Sequence, residues 1–459
     1  MPTEQDSLIL SVFPPEITQK VFRHCLLPQY GPAGPPRPLS HRWSPSPREA
    51  PLLFTQICRQ WRDICLNAPD LWTSIDFDEN QSIEYLLTSL SRAGNGVPLS
   101  LRIRASDSTA ALVMDMVIPS VHRWQRIHLI LPAAELVRLH MHHFPILEQL
   151  TLCVFEKESR MTKPTVIQNG PLLSYADART FPTLHFAGSL HLLTRLRLHA
   201  LDTSQTMATL RQCPNLLDLT CDYRDPYPYS FLLEPPEPLE LPSLCLLKVT
   251  DHRMLPFLAT PNLERLHLQY TSRNENVMGI PRDALGSFLT RSGCDLLFLS
   301  INTKEMPYSW LMADRLRPAN SVRHLSVTVA DSGDFMSLMS DISLPSVLPR
   351  LVHLEVRDPA AVLNMTMEQY DAMLKMLPMR RKHTALEKVE LFFGRRSVGG
   401  PRTPHVAVMQ ELRRLAEEKG LQVRITARNR LTSPYVDVRL FDNFDGNALE
   451  YTYIPTFEA

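Results

Sequence analysis

The main pattern along this chain is a short set of apolar positions that recurs ten times between Trp124 and Leu391. Each copy reads apolar, two variable residues, apolar, one variable residue, apolar. The last two apolar positions alternate with a variable one, which is typical of a β-strand with one buried face. The first apolar position fits a turn that enters the strand. The copies are Trp124-Ile127-Leu129, Leu147-Leu150-Leu152, Leu193-Leu196-Leu198, Leu216-Leu219-Cys221, Leu244-Leu247-Val249, Leu263-Leu266-Leu268, Leu296-Leu299-Ile301, Val322-Leu325-Val327, Leu351-Leu354-Val356 and Leu386-Val389-Leu391.

The spacing of these copies varies, and one step is unusually long. The step from Leu147 to Leu193 is 46 residues, twice a step of 23 that occurs elsewhere. A copy between them is therefore either disguised or replaced by an insertion, and the segment 156–183, which lacks a clear periodicity, is the candidate. A short strand with one apolar side cannot bury that side alone, whereas stacked neighbours form a continuous core. Prolines two residues before a copy suit a strand entrance: Pro145, Pro214, Pro242, Pro261 and Pro349.

Helices are predicted between the strands, over 202–212, 283–293 and 366–377, from capping residues at their starts or a glycine at their end. This alternation over residues 100–430 resembles the leucine-rich-repeat family in its irregular form. Most copies lack the asparagine that follows the strand in regular members. The resemblance implies a mixed fold of the α+β or α/β class, a solenoid of parallel strands with intervening helices. An ordinary α/β domain with leucine-rich parallel strands is the alternative.

The N-terminal part has a different, helical pattern. Helices are predicted over 8–27 and 51–67, and a third from Ser82 to Ala93, ended by Gly94. The segment 28–50 between the first two carries seven prolines, so we expect an exposed loop there. A strand is predicted from Val97 to Arg104.

Three sequence blocks in this region resemble an F-box. Phe13-Pro14-Pro15-Glu16-Ile17 with Val21-Phe22 is similar to its opening, 57–64 (ICRQWRDI) to its middle helix, and 69–72 (PDLW) to its end. Phe13 stands where leucine is usual, and the loop 28–50 is longer than in a compact F-box. The predicted domains are the F-box-like head 8–77, the repeat region 82–430 and an acidic, aromatic tail 431–459.

The F-box resemblance implies a binding role. An F-box docks onto a Skp-family adaptor, which links it to a cullin ubiquitin ligase, while the other domain holds a protein substrate. The adaptor would contact Phe13, Pro14, Pro15, Glu16, Ile17, Val21, Phe22, Ile57, Cys58, Trp61, Leu71 and Trp72, some of which would instead form the core of the head. Variable strand positions are candidates for substrate contact: Arg195, Arg197, Arg265, His267, Gln269, Glu355 and Arg357. A scaffold that serves no degradation is the alternative function.

Charge balance, apolar runs and cysteine spacing argue against several classes of function. Lysine plus arginine and aspartate plus glutamate both number 48, so no basic excess points to nucleic acid. No apolar run is long enough to span a membrane, and the N-terminus lacks a signal-peptide pattern. The eight cysteines include no C-x-x-C pair, which favours reduced thiols in the cytoplasm or nucleus.

Motifs for catalysis and cofactors are missing from the sequence. The phosphate-binding glycine motifs, H-E-x-x-H and G-x-S-x-G do not occur, so we expect a protein without cofactor, metal or enzymatic activity. The cluster His140, His142 and His143 is either a metal site or a helix end that favours positive charge. Histidines also recur in or beside the strands, at 128, 199, 267, 324 and 353. They form either a pH-sensitive recognition stripe or ordinary exposed sheet positions.

Overall fold

A computed structural model gives the fold of this chain and describes residues 14–26, 50–140, 142–154, 165–168, 170–178, 184–187, 190–200, 203–223, 237–250, 252–269, 284–302, 316, 318–329, 332–358, 367–383, 386–393, 410–412, 414–415, 421–428, 435–438 and 452–453. These residues combine helices with an extensive parallel β-sheet, in agreement with the predicted mixed class. The chain divides into two compact units, with the boundary between Cys213 and Pro214.

The first unit opens with short helices and continues into parallel strands. Its helices are α1 (Pro15–Cys25), α2 (Phe54–Ile57), α3 (Arg59–Leu66), α4 (Ile83–Arg92), α5 (Asp107–Val117), α6 (Ala133–Leu136) and α7 (Thr203–Arg211), with 3-10 segments at Pro69–Trp72, Ile118–Arg123 and Val137–Leu139. Its strands are β1 (Ser74–Asp78), β2 (Leu99–Arg104), β3 (Trp124–Leu131), β4 (Gln149–Val154), β5 (Thr165–Gln168), β6 (Tyr175–Ala178), β7 (Leu184–Ala187) and β8 (Arg195–Ala200). Parallel pairing runs in the order β1-β2-β3-β4-β6-β8, and β5 pairs separately with β7.

The second unit repeats the alternation of strand and helix. Its strands are β9 (Asp218–Tyr223), β10 (Leu239–Glu240), β11 (Leu246–Val249), β12 (Leu258–Ala259), β13 (Arg265–Gln269), β14 (Phe298–Asn302), β15 (His324–Thr328), β16 (His353–Asp358), β17 (Lys388–Phe393), β18 (Gln422–Arg428), β19 (Tyr435–Val438) and β20 (Thr452–Tyr453). Its helices are α8 (Ala284–Ser292), α9 (Ser332–Ser343) and α10 (Met367–His383), with a 3-10 segment at His252–Phe257. Parallel pairing runs β9-β11-β13-β14-β15-β16-β17-β18, and β19 and β20 then add antiparallel to β18. A separate parallel pair joins β10 and β12.

The apolar positions of the ten copies form the core of the sheet, as the pattern predicts. In the second unit Leu266 aligns with Leu299, then Leu325, Leu354 and Val389, and all five are fully buried. Because neighbouring strands present the same side chain type at the same level, each strand buries its apolar side against the next.

The first apolar residue of a copy closes a turn, also as predicted. The amide of Leu263 donates to the carbonyl of Thr260 at 3.2 Å, and that of Leu351 to Leu348 at 3.1 Å. In the same way, the amides of Leu193, Leu244 and Val322 each donate to the carbonyl three residues earlier. Leu348 adopts a φ of 48°, which is unusual for a residue with a side chain, and it is fully buried. The turn before β16 is therefore held by its surroundings rather than by local preference.

The 46-residue step between Leu147 and Leu193 contains a further strand, β6. β6 lies in the predicted insertion 156–183, pairs with β4 on one side and β8 on the other, and aligns Ala176 with Leu150 and Leu196. Leu173, Ala176 and Ala178 therefore occupy the three apolar positions, and all are buried. The copy is disguised because alanine replaces the larger residues. Residues 156–164 and 179–183 lie outside the described part.

The predicted helices 82–93, 202–212 and 283–293 are confirmed to within one residue at each end, whereas α10 continues beyond the predicted end at 377. In the described part of the predicted helix 8–27, the helix covers Pro15–Cys25. The helix after Ser82 begins with the Ser82 hydroxyl accepting from the amide of Tyr85 at 3.3 Å and is followed by Gly94 at φ 61°. The predicted helix 51–67 is instead interrupted at Cys58, whose backbone is extended. β1 was missed, and it places the last residues of the predicted head, from Ser74, in the sheet. Phe13 and the loop 28–49 lie outside the described residues, as does most of the tail apart from β19 and β20.

Candidate interaction surfaces

Three aromatic rings hold the N-terminal helices together. Phe22 of α1 stacks on Phe54 of α2 with 4.2 Å between ring centroids, and it meets Trp61 of α3 at 4.7 Å. Phe22 is 1% exposed and Phe54 6%. Because one ring from each helix enters the same cluster, the cluster fixes the mutual position of α1, α2 and α3.

Polar contacts then tie these helices to the Pro69–Trp72 segment. Asp70 accepts a hydrogen bond from Gln19 at 2.8 Å and forms an ion pair with Arg23, both on α1. The indole N–H of Trp72 donates to the carbonyl of Cys65 at 2.8 Å, and the Arg92 guanidinium lies 4.4 Å above the Trp72 ring. The Pro69–Trp72 segment therefore contacts α1, α3 and α4 and stabilises their packing.

The predicted adaptor residues separate into core and surface. Phe22, Leu71 and Trp72 are buried, and Cys58 and Trp61 are half-buried. The Cys58 sulfur accepts from the amide of Trp61 at 3.4 Å, so it caps the start of α3. The exposed members are Pro14, Pro15, Glu16, Ile17, Val21 and Ile57.

Four exposed apolar side chains lie on α1, on α2 and at the residue before α2. Val21 is 51% exposed, Ile57 50% and Ile17 38%, and Leu53, which the sequence analysis did not single out, is 37% exposed. Ile17 and Val21 are four residues apart and therefore share one face of α1. We call Ile17, Val21, Leu53 and Ile57 the head apolar set.

A second candidate surface lies on the outward positions of the sheet in the second unit. Four rings follow one another across adjacent strands β13 to β16: His267, Phe298, His324 and His353. Their centroids are 4.9, 4.5 and 3.9 Å apart, and the two last imidazoles are stacked with planes 25° apart. We call these four residues the ring row.

Two buried carboxylates lie beside histidines of the ring row. Glu355 of β16 lies 3.5 Å from His324 Nε2 and pairs with Arg357 on its own strand. Glu390 of β17 lies 2.7 Å from His353 Nε2 and 3.1 Å from Lys388 Nζ. The same diagonal contact from a histidine to a glutamate on the next strand therefore occurs twice.

Burial and charge shift the titration of these groups. Burial and the neighbouring His324 lower the pKa of His353, against the opposing effect of Glu390. Burial, with Lys248 and Arg265, also lowers the pKa of His267. Burial alone would raise the pKa of Glu355, but His324 and Arg357 outweigh it and bring the value to about 2. At neutral pH His267 and His353 are therefore uncharged while Glu355 is ionised.

We expect Glu355→Gln to destabilise the second unit by about 2 kcal/mol at pH 7. A carboxyl whose pKa falls from 4.5 to about 2 on folding stabilises the fold above pH 4.5 and loses that contribution as the pH falls towards 2. The exposed partner Arg357 reduces the effect. Urea unfolding at pH 7 and at pH 3 measures it, with the exposed Glu264→Gln as the matched control. An equal loss in both variants, or one unchanged at pH 3, contradicts this prediction.

The predicted substrate residues are divided between the two units. Arg195 and Arg197 are on β8 in the first unit, where Arg197 lies 3.8 Å from Asp177. Arg265, His267 and Gln269 are on β13, and Glu355 and Arg357 are on β16, all in the second unit. The structure adds Phe298, His324, His353, Lys388 and Glu390 to that group. The recurring strand histidines at 267, 324 and 353 were the sequence signal for it.

Two further strand histidines were predicted in the first unit, and the side chain of His199 lies outside the described part. His128 in the first unit is 6% exposed, so it is buried rather than an exposed sheet residue. In the described part of the chain, no group of three or more histidine, cysteine or acidic side chains is placed to hold a metal ion, and this includes His140, His142 and His143. Within the same residues no helix combines the length and apolar character needed to cross a membrane.

Neither a protein-family model nor a curated protein matches this chain.

Proposed function

We propose that this chain is the substrate-recognition subunit of a Skp/cullin/F-box-type ubiquitin ligase. Its helical head binds the Skp-family adaptor, and its repeat region, a leucine-rich-repeat-like solenoid, binds a target protein. The observation that carries the proposal is the head apolar set, formed by residues of the F-box-like blocks and their neighbours and exposed on helices that a buried ring cluster holds in place.

The division of roles within the head supports this proposal. The bulky motif residues Phe22 and Trp72 are buried and Trp61 is half-buried, as their packing requires. In contrast, Ile17, Val21 and Ile57 remain at the surface. Exposed apolar side chains on a small helical unit, such as Ile17 and Val21 on one face of α1, are typical of a protein contact. The exposed Pro14, Pro15 and Glu16 lie beside Ile17 and extend the same contact.

The repeat region supports a binding role for the rest of the chain. Its parallel strands follow chain order within each unit, so variable outward side chains of neighbouring strands come together. Such a surface holds a target near a ubiquitin-loaded enzyme and raises its effective concentration, without a covalent step on this chain. Burial raises the pKa of the Cys65 and Cys213 thiols to about 12, which keeps both protonated at neutral pH and speaks against their acting as nucleophiles.

We expect the double variant Ile17→Glu/Val21→Glu to weaken capture of a purified Skp-family adaptor by about 30-fold or more, because two charges would face an apolar contact. Both side chains are exposed, so the head should fold. The matched control is Leu112→Glu on α5, a leucine that is 48% exposed and lies outside the head. Titration of adaptor on the immobilised full chain measures the effect. Undiminished capture by the double variant would refute the docking role of this face.

The ligase function and the non-degradative scaffold then differ in one further result. If the chain recruits targets for modification, co-purifying proteins gain ubiquitin in a reconstituted reaction with adaptor, cullin and wild-type chain. They do not when the chain carries Ile17→Glu/Val21→Glu. Adaptor capture without any ubiquitin transfer would leave the scaffold as the better description.

A further inference from the structure

The charges around the ring row are unequally accessible. The side chains of Glu355 and Glu390 are each 8% exposed, whereas Arg357 is 57% and Lys388 37% exposed. The histidines lie between these limits, at 29% for His324 and 20% for His353. A partner that approaches the row therefore meets rings and cations, while the carboxylates lie beneath them.

Neighbouring groups define the limits of this cationic surface. Arg265 on β13 is exposed, and Lys248 on β11 is half-buried. The next strand, β9, carries Asp218 and Asp222, so the surface ends at β11. The ionisable groups on the outward positions from β11 to β17 are Lys248, Arg265, His267, His324, His353, Glu355, Arg357, Lys388 and Glu390.

Other charged residues near the row lie outside the strand face. Glu264 and Glu387 are exposed, but each precedes the first residue of its strand and lies in the turn that enters it. Arg323 occupies the equivalent position before β15. The remaining outward positions on β13 to β15, including Ser300 and Ser326, are neutral.

We infer that the ring row and its flanking cations Arg265, Arg357 and Lys388 form a docking surface for a carboxylate-rich segment of a protein partner. Guanidinium and ammonium groups bind carboxylates directly, and the imidazoles add donors between them. Five neighbouring strands at about 4.8 Å span roughly 19 Å, which corresponds to about six residues of an extended peptide. In the proposed ligase this segment belongs to the target, and in this respect alone the inference rests on the proposed function.

A consequence is that binding tightens when the pH falls. The ring-row histidines with lowered pKa are uncharged at pH 7.5, and nearby carboxylates of a bound segment would favour their protonated forms. Binding therefore takes up protons. The aspartates of the segment stay ionised at pH 6.0, since their ordinary pKa is about 4.

The test uses a fluorescein-labelled hexa-aspartate peptide and the purified full chain, without adaptor. We expect micromolar binding that tightens about fivefold between pH 7.5 and pH 6.0. Arg265→Glu, at an exposed position, should weaken binding about tenfold at both pH values. His267→Gln/His353→Gln should remove most of the pH dependence, because these are the two histidines whose pKa is lowered. The matched controls are Arg350→Gln and His122→Gln, exposed residues of the same types elsewhere on the chain.

Several results would overturn the inference. These are absence of hexa-aspartate binding, equal weakening by Arg350→Gln and Arg265→Glu, or an unchanged pH effect in the double histidine variant. Hexalysine or a DNA hexanucleotide that binds as tightly as hexa-aspartate would also overturn it, because the surface would then not select carboxylates. Circular dichroism spectra of all variants establish that they fold.

The outcome is separable from that of the ligase proposal. If hexa-aspartate binds as expected but wild-type chain fails to capture the adaptor, the ligase role is refuted and the docking surface stands. If the adaptor is captured but hexa-aspartate does not bind, the docking surface is refuted and the ligase role stands.

Discussion

Replacing Arg380 with methionine should destabilise the second unit by about 3–5 kcal/mol. Arg380 is a fully buried side chain on α10. Its guanidinium donates to the carbonyls of Ile342 and Val347, and to that of Leu348 at 3.2 Å. These carbonyls belong to the end of α9 and the turn that follows it. Methionine fills a similar volume but leaves all three acceptors without this donor in a buried site.

Hydrogen exchange along the second unit measures this effect. We expect faster exchange in α9, α10 and the turn before β16, because the buried carbonyls there lose the guanidinium that holds them to α10. Arg350→Met, at an exposed position of the same turn region, is the matched control and should change stability by less than about 0.5 kcal/mol. Similar exchange in the two variants would show that Arg380 does not stabilise the turn.

Other arginines near helix ends also donate to backbone carbonyls that precede them in the chain. Arg291 near the end of α8 donates to the carbonyls of Leu258 at 2.9 Å and Leu255 at 2.7 Å. Arg123, at the end of a 3-10 segment, donates to the carbonyl of Val97 at 2.9 Å. Burial lowers the pKa of both residues, and that of Arg380 to about 10, so all three remain charged at neutral pH. Each arginine therefore links one strand-and-helix repeat to the backbone of the preceding repeat.

The burial of these arginines could not be predicted from the sequence. The apolar spacing predicts strands and their buried face, because burial of leucine and valine dictates it at every copy. A buried arginine is invisible to such a pattern, since the residue type is usually exposed. At β6 the sequence left a disguised copy and an insertion as alternatives, because Ala176 and Ala178 are too small to mark an apolar strand position. β1 was missed because its strand directly follows the Pro69–Trp72 segment.

The candidate surfaces were predictable to different extents. The sequence predicted helices in the head but did not decide between core and surface for Trp61 and Trp72. The structure buries Trp72. For the sheet, the sequence placed His267 and Arg357 on outward positions. It did not reveal that Phe298 completes a row between His267 and His324, because helices and turns of different lengths set which outward residues meet.

Phe22→Ala should destabilise the helical head by about 3–4 kcal/mol, the usual cost of removing a buried phenylalanine. The ring is 1% exposed and contacts Phe54 and Trp61, so its loss removes a contact from each of the other two helices in the cluster. Hydrogen exchange should rise in α1, α2 and α3, while β2 and β3 keep their protection. Unchanged exchange in α1 would contradict the role of the ring cluster.

The adjacent Val21 provides a control that separates folding from docking. Val21→Ala trims a side chain that is 51% exposed, so we expect a stability change within about 0.5 kcal/mol. Its adaptor capture should nevertheless fall by several-fold if Val21 is a docking residue. Phe22→Ala should lose capture in parallel with its loss of protection, because the head apolar set depends on the position of α1. If Val21→Ala retains full capture while Phe22→Ala loses it, the adaptor contact lies on the head but not on this face of α1.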